Sequence, residues 1–165
     1  MNTEEQKKTK YLNRRSHTCG ELNGKDNNKK VTLNGWVDSK RNLGGLIFVD
    51  LRDRFGISQV IFDPEKDHLL HSQAAKLHME DVITVSGIVT KRPENMINKD
   101  RHTGEIEIHA NSLTIENSCK TPPFTISEQS EAHDNLRLKY RYLDLRRPSI
   151  NKKIVDRSKI TSYIR

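Results

Sequence analysis

The sequence contains no apolar run long enough to cross a membrane, and its charged N-terminal residues lack the apolar stretch of a signal peptide. Hydrophobic residues make up 33% of the 165 residues and charged residues 31%, which is a polar composition for a globular protein. These absences argue against a membrane-spanning or secreted protein. We therefore predict no membrane association and a cytoplasmic location.

Residues that carry enzyme chemistry are present, but not in the arrangements that such chemistry needs. Cys19 and Cys119 are far apart and form no CxxC pair, so we predict two reduced thiols. The seven histidines show no spacing that would supply the four ligands of a structural zinc site. There is no glycine-rich phosphate loop, no pair of carboxylates and no nucleophile–base pair. The sequence therefore predicts no catalytic residue, no metal site and no cofactor in this chain.

The net charge of +7 is distributed unevenly along the chain. Residues 1–30 carry +4 and residues 136–165 carry +8, whereas residues 31–135 carry −5. The central part is thus not a basic domain. A prediction of nucleic-acid binding must rest on a local group of side chains rather than on the overall charge.

Residues 35–62 predict three β-strands joined by two short turns. The turns at residues 42–45 and 54–56 contain glycines, which tolerate the positive φ angles of tight turns. Between them, alternate residues of the strand at 46–52 belong to opposite faces of a sheet. The core face has Ile47, Val49 and Leu51, and the other face has Leu46, Phe48, Asp50 and Arg52.

This alternation predicts that Phe48 is exposed beside charged side chains, as on a surface that binds single-stranded nucleic acid. Aromatic rings stack on bases, and cations such as Arg41 and Arg52 attract phosphates. Both faces of the third strand contain apolar residues, so alternation does not decide whether Gln59 joins this surface. The alternative is that Phe48 is a lone exposed aromatic residue on an ordinary barrel, and the pattern leaves both interpretations open.

The other segments of the central region predict a closed barrel. Further strands are predicted at residues 31–42, 57–62, 81–92 and 104–117. Gly87 predicts a bulge or a tight bend at a barrel corner, and a shift in alternation near residues 111–112 predicts a bulge. A helix is predicted at residues 65–79, with its apolar side formed by Leu69, Leu70, Ala74 and Leu77. A mainly β fold with five strands and one helix between strands 3 and 4 is typical of the OB-fold Greek-key barrel, and another small β-barrel is the alternative.

The regions outside the barrel predict a leader, a linker and two helices. Residues 1–15 are predicted to be a disordered leader, and residues 121–133 resemble a linker. The next helix is predicted to start at Asp134 as its N-cap and to end at Pro148, with apolar residues on two sides. A second amphipathic helix is predicted from Ser149. Because the chain ends within that helix, we expect that a following domain is missing.

Five longer motifs resemble one known family. In chain order they are HTCGEL, VTLNGWV, RNLGGLIFVDLRDRFGISQVIFDPE, TGEIEI and LRLKYRYLDLRRP. Together they resemble the N-terminal portion of bacterial-type aspartyl-tRNA synthetases, over residues 17–165. The resemblance implies an OB-fold anticodon-binding domain at residues 16–117, a hinge at 118–148 and the truncated start of a class II catalytic domain at 149–165.

The resemblance also implies which residues contact RNA. In the family, the residue matching Phe48 stacks on an anticodon base, and those matching Arg41 and Gln59 contact base edges. We therefore expect Phe48, Arg41 and Gln59 to bind the anticodon, with Asn42 as a fourth candidate. The family usually has aspartate at the position of Asn42. This departure leaves base discrimination by Asn42 open, because an amide both donates and accepts hydrogen bonds.

A second departure concerns charge next to the turn. Ser39 and Lys40 stand where the family commonly has two arginines. Phosphate attraction from these positions should therefore be weaker, which predicts a shallower dependence of binding on salt.

The full-length family attaches aspartate to tRNA and uses ATP and Mg²⁺. The class II motifs that hold ATP and aspartate are not found within these 165 residues, so we predict that the chain is inactive alone. The expected partner is the anticodon loop of tRNA-Asp, with tRNA-Asn as a second candidate. The family is homodimeric through its catalytic domain, so this chain is expected to be monomeric. The alternatives are a free-standing OB-fold RNA-binding module and a general single-strand-binding protein.

Overall fold

The computed structural model describes residues 15–165, so the predicted leader lies outside the described residues except for Arg15. The chain divides into two compact units, one ending at Thr121 and the other comprising Pro122–Arg165. The first unit contains β1 (Lys30–Leu43), β2 (Leu46–Arg52), β3 (Ile57–Phe62), α1 (His68–Ala75), β4 (Val82–Lys91) and β5 (Ile106–Asn117). The second contains α2 (Asp134–Lys139), α3 (Arg141–Asp144) and α4 (Pro148–Ile164). No helix within residues 15–165 is long and apolar enough to cross a membrane.

The five strands form a closed barrel in the order β1-β2-β3-β5-β4. All neighbours are antiparallel except β3 and β5, which are parallel. Alternate residues of each strand fill the interior, as expected for a small barrel. The predicted OB-fold, with its helix between the third and fourth strands, is confirmed. The fully buried core includes Val31, Leu33, Val37, Val49, Leu51, Val60, Phe62, Ile83, Val85, Val89, Ile106 and Ile108.

The two positions predicted from Gly87 and from residues 111–112 belong to one bulge in the pairing of β4 with β5. Ser86 pairs with Ser112 and Gly87 pairs with Ala110, so Asn111 on β5 is the extra residue. A further bulge, which the sequence did not reveal, lies in β1. There the pairing with β2 shifts between Val37 and Ser39, and the extra residue is Asp38.

The segment before β1 closes the barrel near the β2–β3 turn. The backbone comes so close there that a Cβ on Gly20 would lie 2.2 Å from the carbonyl oxygen of Phe55. Cys19 is fully buried, its N–H donates to the Asp53 carboxylate (2.9 Å), and its carbonyl accepts from Ser58. Burial and the neighbouring Asp53 raise the pKa of the Cys19 thiol, which keeps it protonated.

Helix α1 is shorter than predicted. It spans eight residues instead of 65–79, because Asp67 caps its N-terminus by accepting a hydrogen bond from Leu70 N–H (2.9 Å). Leu70, Ala74 and Leu77 are buried as expected, but Leu69 is 77% exposed, and its assignment to the buried side was wrong.

The single helix predicted between Asp134 and Pro148 was also wrong. Tyr140, with φ −107° and ψ 48°, leaves the helical region and separates α2 from α3. The N-cap of α2 is His133, whereas Asp134 is the first helical residue. Pro148 begins α4 instead of ending a helix, which is a position where proline loses no helical hydrogen bond.

A buried carboxylate accompanies this break. Asp144 is fully buried and accepts hydrogen bonds from Arg137 Nε (3.0 Å) and from Arg141 and Arg147. In an unbroken helix, Arg137 and Asp144 would be separated by about 10 Å along the axis. The break at Tyr140 lets the three guanidinium groups converge on one carboxylate.

Candidate nucleic-acid interface

Two adjacent rows of side chains lie on the outer face of the barrel, defined here as the side of the sheet opposite the core. Cross-strand partners of an antiparallel pair share a face. Arg41 pairs with Phe48, and the next row contains Ser39, Asp50 and Gln59. Three of the four predicted RNA-binding residues, Phe48, Arg41 and Gln59, are thereby brought together.

Asp50 is the centre of this surface, and its predicted exposure was wrong. The residue is only 2% exposed. Its carboxylate accepts a hydrogen bond from Nη2 of Arg101 at 2.9 Å and one from the Ser39 hydroxyl at 2.8 Å, and Nη1 of Arg101 forms an ion pair with it at 2.8 Å. Nη2 of Arg41 lies 3.2 Å from both carboxylate oxygens. These four residues are called the Asp50 cluster below.

Arg41 links the Asp50 cluster to Gln59. Its Nη2 also donates to Oε1 of Gln59, at 3.3 Å. Within residues 15–165, the side-chain hydrogen bonds that the structure shows for Arg41 all start from Nη2. The side chain is 47% exposed, and its guanidinium group has further donors at Nε and Nη1.

The charges around Asp50 determine its protonation. Burial by itself raises the pKa of the Asp50 carboxyl. Hydrogen bonds from Arg101 and Ser39, together with the charges of Arg101 and Arg41, outweigh burial, so the pKa of Asp50 lies below its ordinary value. The same pairing raises the pKa of Arg101. The carboxylate is therefore ionised at neutral pH.

Asp50→Asn should reveal this ionisation in the pH dependence of stability. A depressed pKa in the folded state stabilises the protein above the unfolded-state pKa of about 4, and the stabilisation is lost as pH falls through the lower folded-state pKa. The difference in unfolding free energy between the wild type and Asp50→Asn should be constant between about pH 5 and 7 and shrink below about pH 4. Urea titrations at each pH measure it. A difference unchanged down to about pH 2 would contradict the ion pairs.

The loop between β4 and β5 forms the other wall of the site. It is held by backbone hydrogen bonds between Asn98 and Gly104 (3.1 Å) and between Gly104 and Arg101 (3.0 Å). The loop and the sheet enclose a groove of about 510 Å³. The groove is lined by Arg41, Gln59, Arg92, Asn95, Met96, Ile97, Asn98, Lys99, Asp100 and Arg101.

Asn42 is not brought to this surface. It pairs with Ile47, whose neighbour on β3 is Phe62, so it lies on the core side of the sheet at the exposed end of β1. Lys40 is on the same side. Its ammonium group donates to the carbonyl oxygens of Ala75 (2.7 Å) and Leu77 (2.6 Å), where it caps the C-terminal end of α1.

Sequence reasoning missed Arg101 and the role of Ser39 at this site. Both act on Asp50, and Arg101 lies 51 residues away from it along the chain. A usable signal was present, because residues 92–101 of a loop between strands 4 and 5 contain two arginines and a lysine. In OB-folds this loop and the face of strands 2–3 are the parts that bind oligonucleotides.

Comparison with known proteins agrees with this geometry. The tRNA anticodon family model, described as OB-fold nucleic acid binding domain, matches residues 31–116. The chain belongs to this OB-fold family. The match covers all of β2, β3 and β4, most of β1 and β5, and the groove between the sheet and the β4–β5 loop.

Relatives of this chain are named as aspartate–tRNA(Asp/Asn) ligases. It is 48% identical over 152 residues to the Aspartate–tRNA(Asp/Asn) ligase of Desulfatibacillum aliphaticivorans and 50% identical over 153 residues to that of Protochlamydia amoebophila. Each alignment covers 92% of this chain and 26% of the relative, so the chain spans about a quarter of their length. The predicted resemblance to the N-terminal portion of bacterial-type aspartyl-tRNA synthetases is confirmed.

A solved structure with the same fold is the asparaginyl-tRNA synthetase from Pyrococcus horikoshii. The two chains share 30% identity with a TM-score of 0.67. The similarity covers 80% of this chain and 29% of the other. Its extent again corresponds to one part of a longer enzyme.

Proposed function

We propose that this chain binds the anticodon loop of tRNA-Asp, as the N-terminal part of an aspartate–tRNA ligase. The observation that carries the proposal is the pairing of Phe48 with Arg41 on the outer face, beside a groove of about 510 Å³. An unstacked base in a loop needs an aromatic surface and nearby hydrogen-bonding groups. This surface offers both within two adjacent rows of the sheet.

Each side chain has a distinct role in the proposal. The Phe48 ring stacks on a base, and the Nε and Nη1 groups of Arg41 donate to acceptors on a base edge. Gln59 Oε1 is engaged by Arg41 (3.3 Å), which leaves its Nε2 group to donate to a second acceptor. Uracil, the middle base of the aspartate anticodon, presents carbonyl acceptors to such donors.

Asn42 and Lys40 have smaller roles in this proposal. Asn42 lies on the other face, so we assign it no contact with the stacked base. Lys40 caps α1 and is not free to bind a phosphate. The proposed interface therefore depends on Phe48, Arg41 and Gln59.

The rest of the proposal concerns the longer protein. Residues 16–117 would read the anticodon, residues 118–148 would form the hinge, and residues 149–165 would begin a class II catalytic domain. ATP and Mg²⁺ would bind in that catalytic domain and not in this chain. We propose a cytoplasmic, homodimeric ligase, with the present chain inactive and monomeric by itself.

Binding to anticodon stem-loops tests the proposal. The full chain is titrated with loops carrying GUC, GUU or GAC at one fixed salt concentration. We expect GUC to bind at least about tenfold more tightly than GAC, because adenine at the middle position presents an amino donor where uracil presents a carbonyl acceptor to Arg41 and Gln59. If the ligase also serves tRNA-Asn, GUU should bind within a few-fold of GUC. Equal, weak and strongly salt-dependent binding of all three loops would contradict anticodon reading.

A further inference from the structure

Arg101 occupies an unusual place beside the proposed interface. It belongs to the β4–β5 loop, yet its guanidinium group binds a carboxylate of β2 through two nitrogens, at 2.8 and 2.9 Å. A planar guanidinium that meets both oxygens of a carboxylate fixes geometry as well as charge. Arg101 is 31% exposed, less than Arg41 at 47%.

The charges in the Asp50 cluster are unequal. One carboxylate is shared by two guanidinium groups, so the cluster carries one excess positive charge. Arg101 makes the shorter, two-nitrogen pair, whereas Arg41 uses a single nitrogen at 3.2 Å. Asp50 is therefore neutralised mainly by Arg101, and Arg41 keeps most of its donors for other partners.

The loop that carries Arg101 is held in place. Thr103, which is 3% exposed, donates to the carbonyl oxygen of Ile57 at the start of β3. Gly104 passes so close to Asn98 that a Cβ would lie 1.8 Å from the Asn98 carbonyl oxygen. Arg101 thus approaches Asp50 from a braced loop, which favours a structural action on the site over a mobile contact.

We propose that Arg101 is a positioning residue for base discrimination. By holding and neutralising Asp50, it directs Nη2 of Arg41 towards Asp50 and Gln59 and leaves Nε and Nη1 of Arg41 facing the ligand. Without Arg101, Arg41 is the only remaining guanidinium partner of Asp50 in the cluster. Arg41 then turns to form a two-nitrogen pair with Asp50, and its hydrogen bond to Gln59 is lost. This inference rests on the proposed function.

A double-mutant cycle tests whether Arg101 acts through Asp50. Arg101→Met and Asp50→Asn are made singly and together, and binding of the GUC and GAC loops is measured with each full chain. In the wild-type background, we expect Arg101→Met to reduce the GUC-to-GAC preference about tenfold. In the Asp50→Asn background, the same substitution should reduce that preference by less than about twofold. Arg101→Lys keeps the positive charge but lacks the planar guanidinium that contacts the carboxylate through two nitrogens. It should therefore retain only part of the GUC-to-GAC preference.

Lys99→Met is the matched comparison, since it removes one charge from the same loop. Lys99→Met should weaken binding of the GUC and GAC stem-loops by a common factor and leave the ratio of their affinities unchanged. If Arg101 instead contacts a phosphate directly, Arg101→Met will behave like Lys99→Met in both the wild-type and the Asp50→Asn chain. The slope of log binding constant against log salt concentration will then be smaller in magnitude by about 0.7. That result overturns the positioning role.

The free protein provides a readout that does not depend on RNA. The NMR order parameter of the Arg41 Nε–H group should change in Arg101→Met and not in Lys99→Met, as Arg41 turns towards Asp50. Suppose that the wild-type chain prefers GUC over GAC. An unchanged Arg41 order parameter in Arg101→Met, or additive effects of Arg101→Met and Asp50→Asn on that preference, would then overturn the role of Arg101 but not the proposed function. A wild-type chain that binds all loops alike overturns the proposed function, and the role of Arg101 in discrimination with it.

Discussion

Phe48→Ala is expected to weaken binding of the GUC stem-loop by about 5- to 150-fold, because stacking of one base on an aromatic ring contributes about 1–3 kcal/mol. The ring lies on the outer face next to Arg41, where alternation along β2 and the pairing of β1 with β2 both place it. Loss of the ring should also remove most of the preference for GUC over GAC. Fluorescence titration at one salt concentration measures both quantities.

Phe55→Ala is the matched control for this prediction. Phe55 is also an aromatic residue, 53% exposed, but it lies in the β2–β3 turn at the other end of β2. Its ring is covered by the guanidinium groups of Arg54 and Arg15, at 4.5 and 5.6 Å. We expect Phe55→Ala to leave the GUC-to-GAC preference unchanged. Equal losses in the two variants would show that the effect is not specific to Phe48.

Asp53→Ala is expected to lower the free energy of unfolding by roughly 3 kcal/mol or more, because it removes three charge-assisted hydrogen bonds at once. Oδ1 accepts from the N–H groups of Phe55 (2.7 Å) and Gly56 (3.0 Å), and Oδ2 accepts from Cys19 N–H (2.9 Å). The Cys19 N–H would remain buried without its partner. Urea denaturation followed by the fluorescence of Trp36 measures the loss.

Asp63→Ala is the control for the turn itself. The Asp63 side chain accepts one hydrogen bond, from Glu65 N–H (2.9 Å), at an exposed site after β3. Its removal should cost about 1 kcal/mol or less. Similar losses in the two variants would mean that the bonds joining the N-terminal segment to the β2–β3 turn contribute little to stability.

The barrel was predictable because its signals are local. The bounds predicted for β2 and β3 agree with the structure, since glycine turns flank β2 and precede β3, and Pro64 follows the end of β3. Helix ends were less predictable. The N-terminal end of α1 depends on the cap formed by Asp67. The break at Tyr140 accompanies the buried carboxylate of Asp144, which three arginines contact only in the folded chain.

The face of the sheet on which Phe48 lies followed from the sequence, but the orientation of its neighbours did not. In β1, simple alternation from Val37 would place Arg41 on the core side and Asn42 on the outer side. The bulge at Asp38 reverses this, so Arg41 joins Phe48 and Asn42 turns away. The pairing of Gln59 on β3 with Asp50 on the adjacent strand β2 likewise places Gln59 on the outer face.

The sequence alone determined the barrel and the face on which Phe48 lies, because residue alternation and turn chemistry operate over a few neighbouring positions. The tertiary structure decided which polar groups surround Phe48. The bulge at Asp38 was not apparent from the alternation of β1, and the ion pair of Asp50 with Arg101 joins a strand to a loop 51 residues away. Such contacts arise only when barrel closure brings distant segments together.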